Sequence, residues 1–129
     1  MLVLSLDTTT RFGSAGLVSE QKLLAEINYL SPSTHSRQVL EAIAAVLKIA
    51  GIEFDQLQGL AVAAGPGSFT GIRIGLSLVK ALSLASGLPV ASVSSLQALA
   101  SKLLWPGVKM ISPVIDARKS EVFGCLYQV

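Results

Sequence analysis

Cysteine and histidine are almost absent. Cys125 stands alone among 129 residues, so no disulfide framework and no metal site built on thiolates can form within the chain. His35 is the only histidine, which excludes a pair of imidazoles one helical turn apart and leaves zinc without its usual ligands. A Ser/His/Asp constellation could be drawn only through His35, and at the mouth of a helix that residue reads as a cap or a surface contact. Charge is scarce as well: 14% of residues are charged against 51% hydrophobic. The net charge is +2 and the only adjacent basic pair is Arg118–Lys119, so no basic tract marks phosphate-neutralising nucleic-acid binding. A membrane span needs roughly 20 clean apolar residues, and the longest apolar stretch, Ile72 to Ala85, is cut by Arg73 and Lys80. Met1 to Leu6 is too short for a signal segment and runs straight into Asp7. There is no repeat and no low-complexity tract. The expectation is one soluble, cytoplasmic domain whose surplus of core-forming residues is buried in a core or against a partner.

What is present has a clear order. Leu2 to Leu6 reads as a buried strand ending at Asp7, and Ser14 to Val18 and Leu23 to Tyr29 as the next two strands of a meander. A helix is expected from about Thr34 to Ala50, stopped by Gly51. The segment "GLAVAA", Gly59 to Ala64, has no polar side chain, which predicts a central strand covered on both faces. A helix over Thr70 to Ser86, a short strand Val90 to Val93 and a third helix, capped by Ser94 or Ser95 and reaching about Leu104, follow. Met110 to Ile115 and Val122 to Val129 each read as one further strand. A meander followed by crossovers predicts an α/β protein with a mixed sheet and helices on its faces.

The two longer helices carry more apolar surface than one sheet can cover. On the second, Ile74, Leu78, Ala81, Leu82 and Ala85 share one side, and Ile72, Gly75, Leu76 and Val79 extend the arc to roughly 220°, about twice the usual stripe. Arg73, Ser77, Lys80 and Leu84 share the narrow remainder. The first helix behaves alike, with Val39, Leu40, Ile43, Val46, Leu47 and Ala50 on one side and Arg37, Glu41 and Lys48 on the other. Either the helices cover each other, or a partner covers them. Each Leu or Ile left wet forgoes about 1.5–3 kcal/mol of burial.

The segment "GPGSFTGIRIG", Gly65 to Gly75, lies between strand and helix. It is no GxxxxGK[ST] loop: the matching glycine comes one residue late and no Lys follows it. It could meet an anion at the helix N-terminus, with Ser68 and Thr70 as hydroxyl donors. It could equally serve only to bring backbones close, since Gly67, Gly71 and Gly75 recur at i, i+4. "LDTTT" places Asp7 before hydroxyls at a strand end, and Asp116 ends another strand in "VIDAR". Two such carboxylates across a cleft would suit a nucleotide's magnesium, and either may instead cap a local turn.

Four segments together resemble one family. "LSLDTTT", "HSRQVLEAI", "GPGSFTGIRIGLSLVKALS" and "PVIDARKSEVF" are similar to the bacterial TsaB (YeaZ) family, along the whole chain from Leu2 onward. The resemblance implies the ribonuclease H-like fold of actin-like ATPases and sugar kinases. It implies a scaffold, not an enzyme, that acts with the transferase TsaD and the ATPase TsaE in placing threonylcarbamoyl on adenosine 37 of transfer RNAs reading ANN codons. It also implies a homodimer when alone, only indirect contact with tRNA, and no cofactor, with ATP and magnesium relevant only in the complex. The partner surface is then expected at His35, Arg37, Val39, Ile43, Val46, Gly71, Ile72, Gly75, Leu76 and Val79. A vestigial phosphate site is expected at Asp7, Thr8, Thr9, Gly65, Gly67, Ser68 and Asp116. TsaD-like proteins carry a metal-binding His-x-x-x-His; its positions here fall on Ser95 and Leu99, which cannot replace imidazole. That speaks against both transferase chemistry and the metallopeptidase activity once attached to relatives as "glycoprotease". The remaining enzymatic alternative is an ATPase using Asp7, Gly67, Ser68 and Asp116. Family members carry a fuller second lobe, so residues 1–107 are expected to form the first lobe and 108–129 the opening of a second, truncated here.

Overall fold

The structure is a computed structural model that describes residues 1–20, 22–31 and 36–129. Strands β1 (Leu2–Asp7), β2 (Phe12–Ser19) and β3 (Lys22–Leu30) form the meander. Helix α1 (Ser36–Ala50) leads through a short 3₁₀ turn (Phe54–Gln56) to β4 (Gly59–Ala63), then helix α2 (Phe69–Ser86) and β5 (Val90–Val93). The sheet order is β3-β2-β1-β4-β5, with β1 antiparallel to β2 and parallel to β4. The mixed five-stranded sheet is the one the element order predicts. The expected start of α1 at Thr34 lies outside the described residues.

Helix α1 packs on β2 and β3, and α2 packs on β4 and β5. The alternation of the strands sends Leu4, Leu6, Ala15, Leu17, Leu60 and Val62 to this side, where they meet Val39, Ile43, Val46 and Val79 in one core. Strand β4 is buried at Gly59, Leu60, Val62 and Ala63, as expected of a central strand, and is partly open only at Ala61. Ala61 is only half-buried, as are Val3, Ser5 and Val18 on the same face. Paired register sets Glu26, Gly16, Ser5, Ala61 and Ala91 in one row across the sheet. Four of these five residues are small, so this row of the sheet is only thinly covered where Ala61 lies.

Helix α2 is bounded as its sequence predicts. Ser68 caps it by accepting a hydrogen bond from Gly71 N, and Gly87 closes it in the left-handed region at φ 75°. Its length and apolarity would suffice to cross a membrane, but here it docks on the sheet through Gly71, Gly75 and Val79. Helix α3 (Ser95–Ser101) is shorter than expected. Its end tightens into i→i+3 bonds, Lys102 N to Leu99 O and Leu103 N to Ala100 O, and the approach to Pro106 disfavours another helical turn.

The expected strand Met110 to Ile115 is two strands, β6 (Met110–Ile111) and β7 (Val114–Arg118). Pro113 breaks it, because it has no N–H to donate to a ladder. The expected strand Val122 to Val129 also divides, into β8 (Glu121–Gly124) and β9 (Tyr127–Gln128). β7 pairs with β8 and β6 with β9, in two small sheets separate from the main one.

Candidate functional site: a helix groove and a polar cleft

Asp7 holds the turn that follows β1. Its Oδ1 accepts from Thr9 N at 2.8 Å and from Thr9 Oγ1 at 2.7 Å. Thr8 Oγ1 donates to the Gly71 carbonyl at 2.7 Å, and Ser68 N donates to the Thr9 carbonyl at 2.6 Å. Ser95 Oγ reaches Thr9 Oγ1 at 3.3 Å, and Ser95 N donates to the Gly65 carbonyl at 2.8 Å. Thr8 and Thr9 are thus buried with their hydroxyl protons committed inside the chain. Ser95 is a buried link in this network, and Leu99 lies exposed on α3.

The glycine stripe has a geometric reason. A Cβ on Gly71 would overlap the Thr8 carbonyl oxygen, and one on Gly67 the Thr9 carbonyl oxygen. A Cβ on Gly75 would stand 2.5 Å from Thr8 Oγ1. The bare stripe of α2 is therefore where the helix start lies against the Thr8–Thr9 turn, and Gly65 adds a positive φ of 98° that other residues resist.

Two concavities flank this junction. One is a cleft of about 610 Å³ between the Thr9–Arg11 turn, the start of α2 and the β7–β8 hairpin, with Arg11, Ser31, Ser68, Thr70, Asp116 and Arg118 in its lining. Asp116 faces it, with Oδ1 accepting from Arg118 N at 2.7 Å. Ser31 Oγ is buried there and, among the described residues, has no hydrogen-bond partner. Asp7 is not in the lining, so the two strand-end carboxylates do not face one another across this cleft. Among the described residues no group of three His, Cys, Asp or Glu could hold a metal ion. Beside Asp7, on the core side, Tyr29 stacks against Gly13; burial, and then the Asp7 carboxylate, push its phenol up to about 12.

The other concavity is a groove of about 460 Å³ between α1 and α2, lined by Val39, Leu40, Arg73, Ile74, Ser77 and Leu78 among others. The two helices do not seal each other. Leu40 is 51% exposed, Leu84 78% and Phe69 74%. Of the residues expected at a partner surface, Val39, Ile43, Val46, Gly71, Gly75 and Val79 are buried in the chain's own core. Ile72 is half-buried, Arg37 and Leu76 are exposed, and His35 lies outside the described residues. The accessible large apolar side chains of α1 and α2 are Leu40, Ile49, Phe69, Leu76 and Leu84, of which Leu76 alone was expected there. Periodicity marked the width of each apolar arc but not which half of it meets the sheet.

A mixed 3-2-1-4-5 sheet with helices on one face and a cleft at the strand ends defines the ribonuclease H-like class. Solved structures agree on the fold: a ROK hexokinase from Thermus thermophilus has TM-score 0.62 at 20% identity, over 99% of this chain and 47% of that one. The family model for TsaD, tRNA N6-adenosine threonylcarbamoyltransferase, matches residues 27–129. The tRNA threonylcarbamoyladenosine biosynthesis protein TsaB of Bacillus subtilis is 37% identical over 130 residues, 99% of this chain and 56% of that protein. Its Escherichia coli counterpart is 34% identical, over 99% and 55%. YeaZ from Pseudomonas aeruginosa superposes with TM-score 0.89 at 33% identity, over 99% of this chain and 60% of that one. The chain belongs to the TsaB (YeaZ) family, within the wider group that the TsaD model describes. It spans about half the length of the TsaB relatives it matches.

Proposed function

We propose that this chain is a non-catalytic scaffold that binds and stabilises the TsaD transferase in threonylcarbamoyladenosine modification of tRNA. The observation that carries the reading is the open groove between α1 and α2, whose apolar lining the chain itself leaves uncovered. The absence of imidazole at positions 95 and 99 supports a non-catalytic role. So does the commitment of the Thr8 and Thr9 hydroxyls to internal bonds, which leaves them no proton to offer a phosphate. In this reading the chain is cytoplasmic and self-associates when alone. TsaE joins in the assembled complex, tRNA is met indirectly, and ATP with magnesium is handled only by the complex. Residues 1–107 serve as the first lobe and 108–129 as the start of a second.

Light scattering on the chain, alone and mixed with TsaD, tests this. Formation of a one-to-one complex, lost in Leu40→Glu with the circular dichroism unchanged, supports it. A chain that ignores TsaD, or a complex indifferent to Leu40→Glu, overturns it.

A further inference from the structure

The cleft between the start of α2 and the β7–β8 hairpin holds more hydrogen-bond donors than the chain itself uses. Ser31 follows β3 and is fixed beside the Thr9–Arg11 turn, its N–H donating to the Arg11 carbonyl at 2.9 Å. It is 6% exposed and lines the cleft, and its Oγ has no partner among the described residues. A hydroxyl buried without a partner is costly to keep, so this wall is short of an acceptor. At the start of α2, Ser68 Oγ accepts from Gly71 N at 3.3 Å, and its own proton goes to no acceptor among the described residues. The N–H groups of Phe69 and Thr70 precede the first intrahelical hydrogen bonds and stand at the positive end of the helix. Arg11 and Arg118 both line the cleft, and no carboxylate pairs with either among the described residues. Asp116 is the only carboxylate in the described lining, and its Oδ1 already accepts from Arg118 N.

We propose that this cleft binds a small phosphate oxyanion, as the free ion or as a monoester, and that the anion ties the β7–β8 hairpin to the start of α2. The inference stands apart from the docking reading, because it does not depend on which face meets TsaD. Donors come from two walls: Arg11, Ser31, Ser68 and Thr70 on the side of the main sheet, and Arg118 on the hairpin. Strands β7 and β8 pack chiefly on each other, so a group that engages both guanidinium groups supplies a contact the fold otherwise has little of. A tetrahedral oxyanion offers acceptors toward both walls, and arginine is suited to holding it. The site differs from the one expected around Asp7, Thr8 and Thr9, whose bonds are closed within the chain. A nucleoside triphosphate fits less well, because its magnesium would have only Asp116 to meet.

Calorimetric titration of the chain with inorganic phosphate, in chloride buffer near neutral pH, tests this beside thermal melts. Phosphate should bind and raise the melting temperature. Ser31→Ala should weaken binding about tenfold, the loss expected of one hydrogen bond to a charged group, and Arg118→Gln by about tenfold or more. Asp116→Asn should tighten binding, since it removes a negative charge and keeps an oxygen for Arg118 N. Amide hydrogen exchange should show phosphate protecting peptides of the β7–β8 hairpin, an effect lost in Arg118→Gln. Phenyl phosphate separates the two sources: binding tighter than that of the free ion assigns the site to a monoester whose body meets Phe123, and equal or weaker binding assigns it to phosphate itself. No heat at millimolar phosphate, or binding that Ser31→Ala or Arg118→Gln leaves unchanged, overturns the proposal. ATP with magnesium binding more tightly than phosphate would overturn it in favour of a nucleotide site.

Discussion

Thr8 Oγ1 donates a 2.7 Å hydrogen bond to the carbonyl of Gly71, joining the turn after the first strand to the start of the second helix across 63 positions of sequence. Both partners are buried. The contact exists because residue 71 has no side chain. The same approach brings Gly67 and Gly75 against Thr8 and Thr9, so the glycine spacing records a packing distance between a helix and a turn.

Gly71→Ala should therefore destabilise the chain by about 3 kcal/mol or more, since the new methyl group meets backbone and cannot be accommodated by a rotamer change. Gly87→Ala provides the contrast. Nothing lies within 4 Å of its Cβ position and only the left-handed φ of 75° is penalised, so about 1 kcal/mol is expected. Urea denaturation of both variants, read by circular dichroism, checks the order of the two losses.

Val79 and Leu40 separate folding from association. Val79 is 1% exposed in the core, whereas Leu40 is 51% exposed on the groove. Val79→Glu should unfold the chain or lower its midpoint severely, because it buries a charge without a partner. Leu40→Glu should change the melting temperature little and act on complex formation. Thermal melts with parallel light scattering would show the two effects on different readouts.

Alkaline stability should carry the signature of Tyr29. Its phenol stands at about 12 in the folded chain against 10.0 for the free group, first through burial and then through the Asp7 carboxylate. The folded state therefore holds its proton where the unfolded state has released it. This contribution is fully present below about pH 10 and is lost as pH rises from about 10 to about 12. Ultraviolet titration of phenolate in a Tyr127→Phe background isolates the group. The account expects a late, high transition, and a shift toward lower pH in Asp7→Asn.

Asp7 itself should matter for stability and not for nucleotide binding. Its Oδ1 satisfies both the N–H and the hydroxyl of Thr9. Asp7→Ala leaves these donors in a part-buried site, at a cost of about 1–3 kcal/mol. Calorimetry with ATP and magnesium should give no heat with the isolated chain, altered or not.

Much of this architecture could be read from the sequence. The apolar runs and Gly51 mark the strands and the end of the first helix, because each reflects a local rule of periodicity or capping. The breaks at Ser112–Pro113 and at Cys125–Leu126 do not show in the apolar pattern, although Pro113 carries a signal for the first of them. The site was less legible. Val79 and Leu76 lie on the same apolar arc, yet one is buried in the core while the other is exposed. That outcome depends on how closely Gly71 and Gly75 let the helix approach, which no pattern of hydrophobicity contains. The commitment of Thr8 and Thr9 to Gly71 and Asp7 was equally hidden, since "DTTT" reads alike whether its hydroxyls face a phosphate or a helix.

The most direct test of the scaffold account is amide hydrogen exchange on the chain, alone and bound to TsaD. The account expects added protection concentrated in peptides from residues 36–50 and 69–86, with the β7–β8 hairpin and the polar cleft unchanged. Protection confined to the cleft around Arg11, Asp116 and Arg118, with the two helices unaffected, would contradict it.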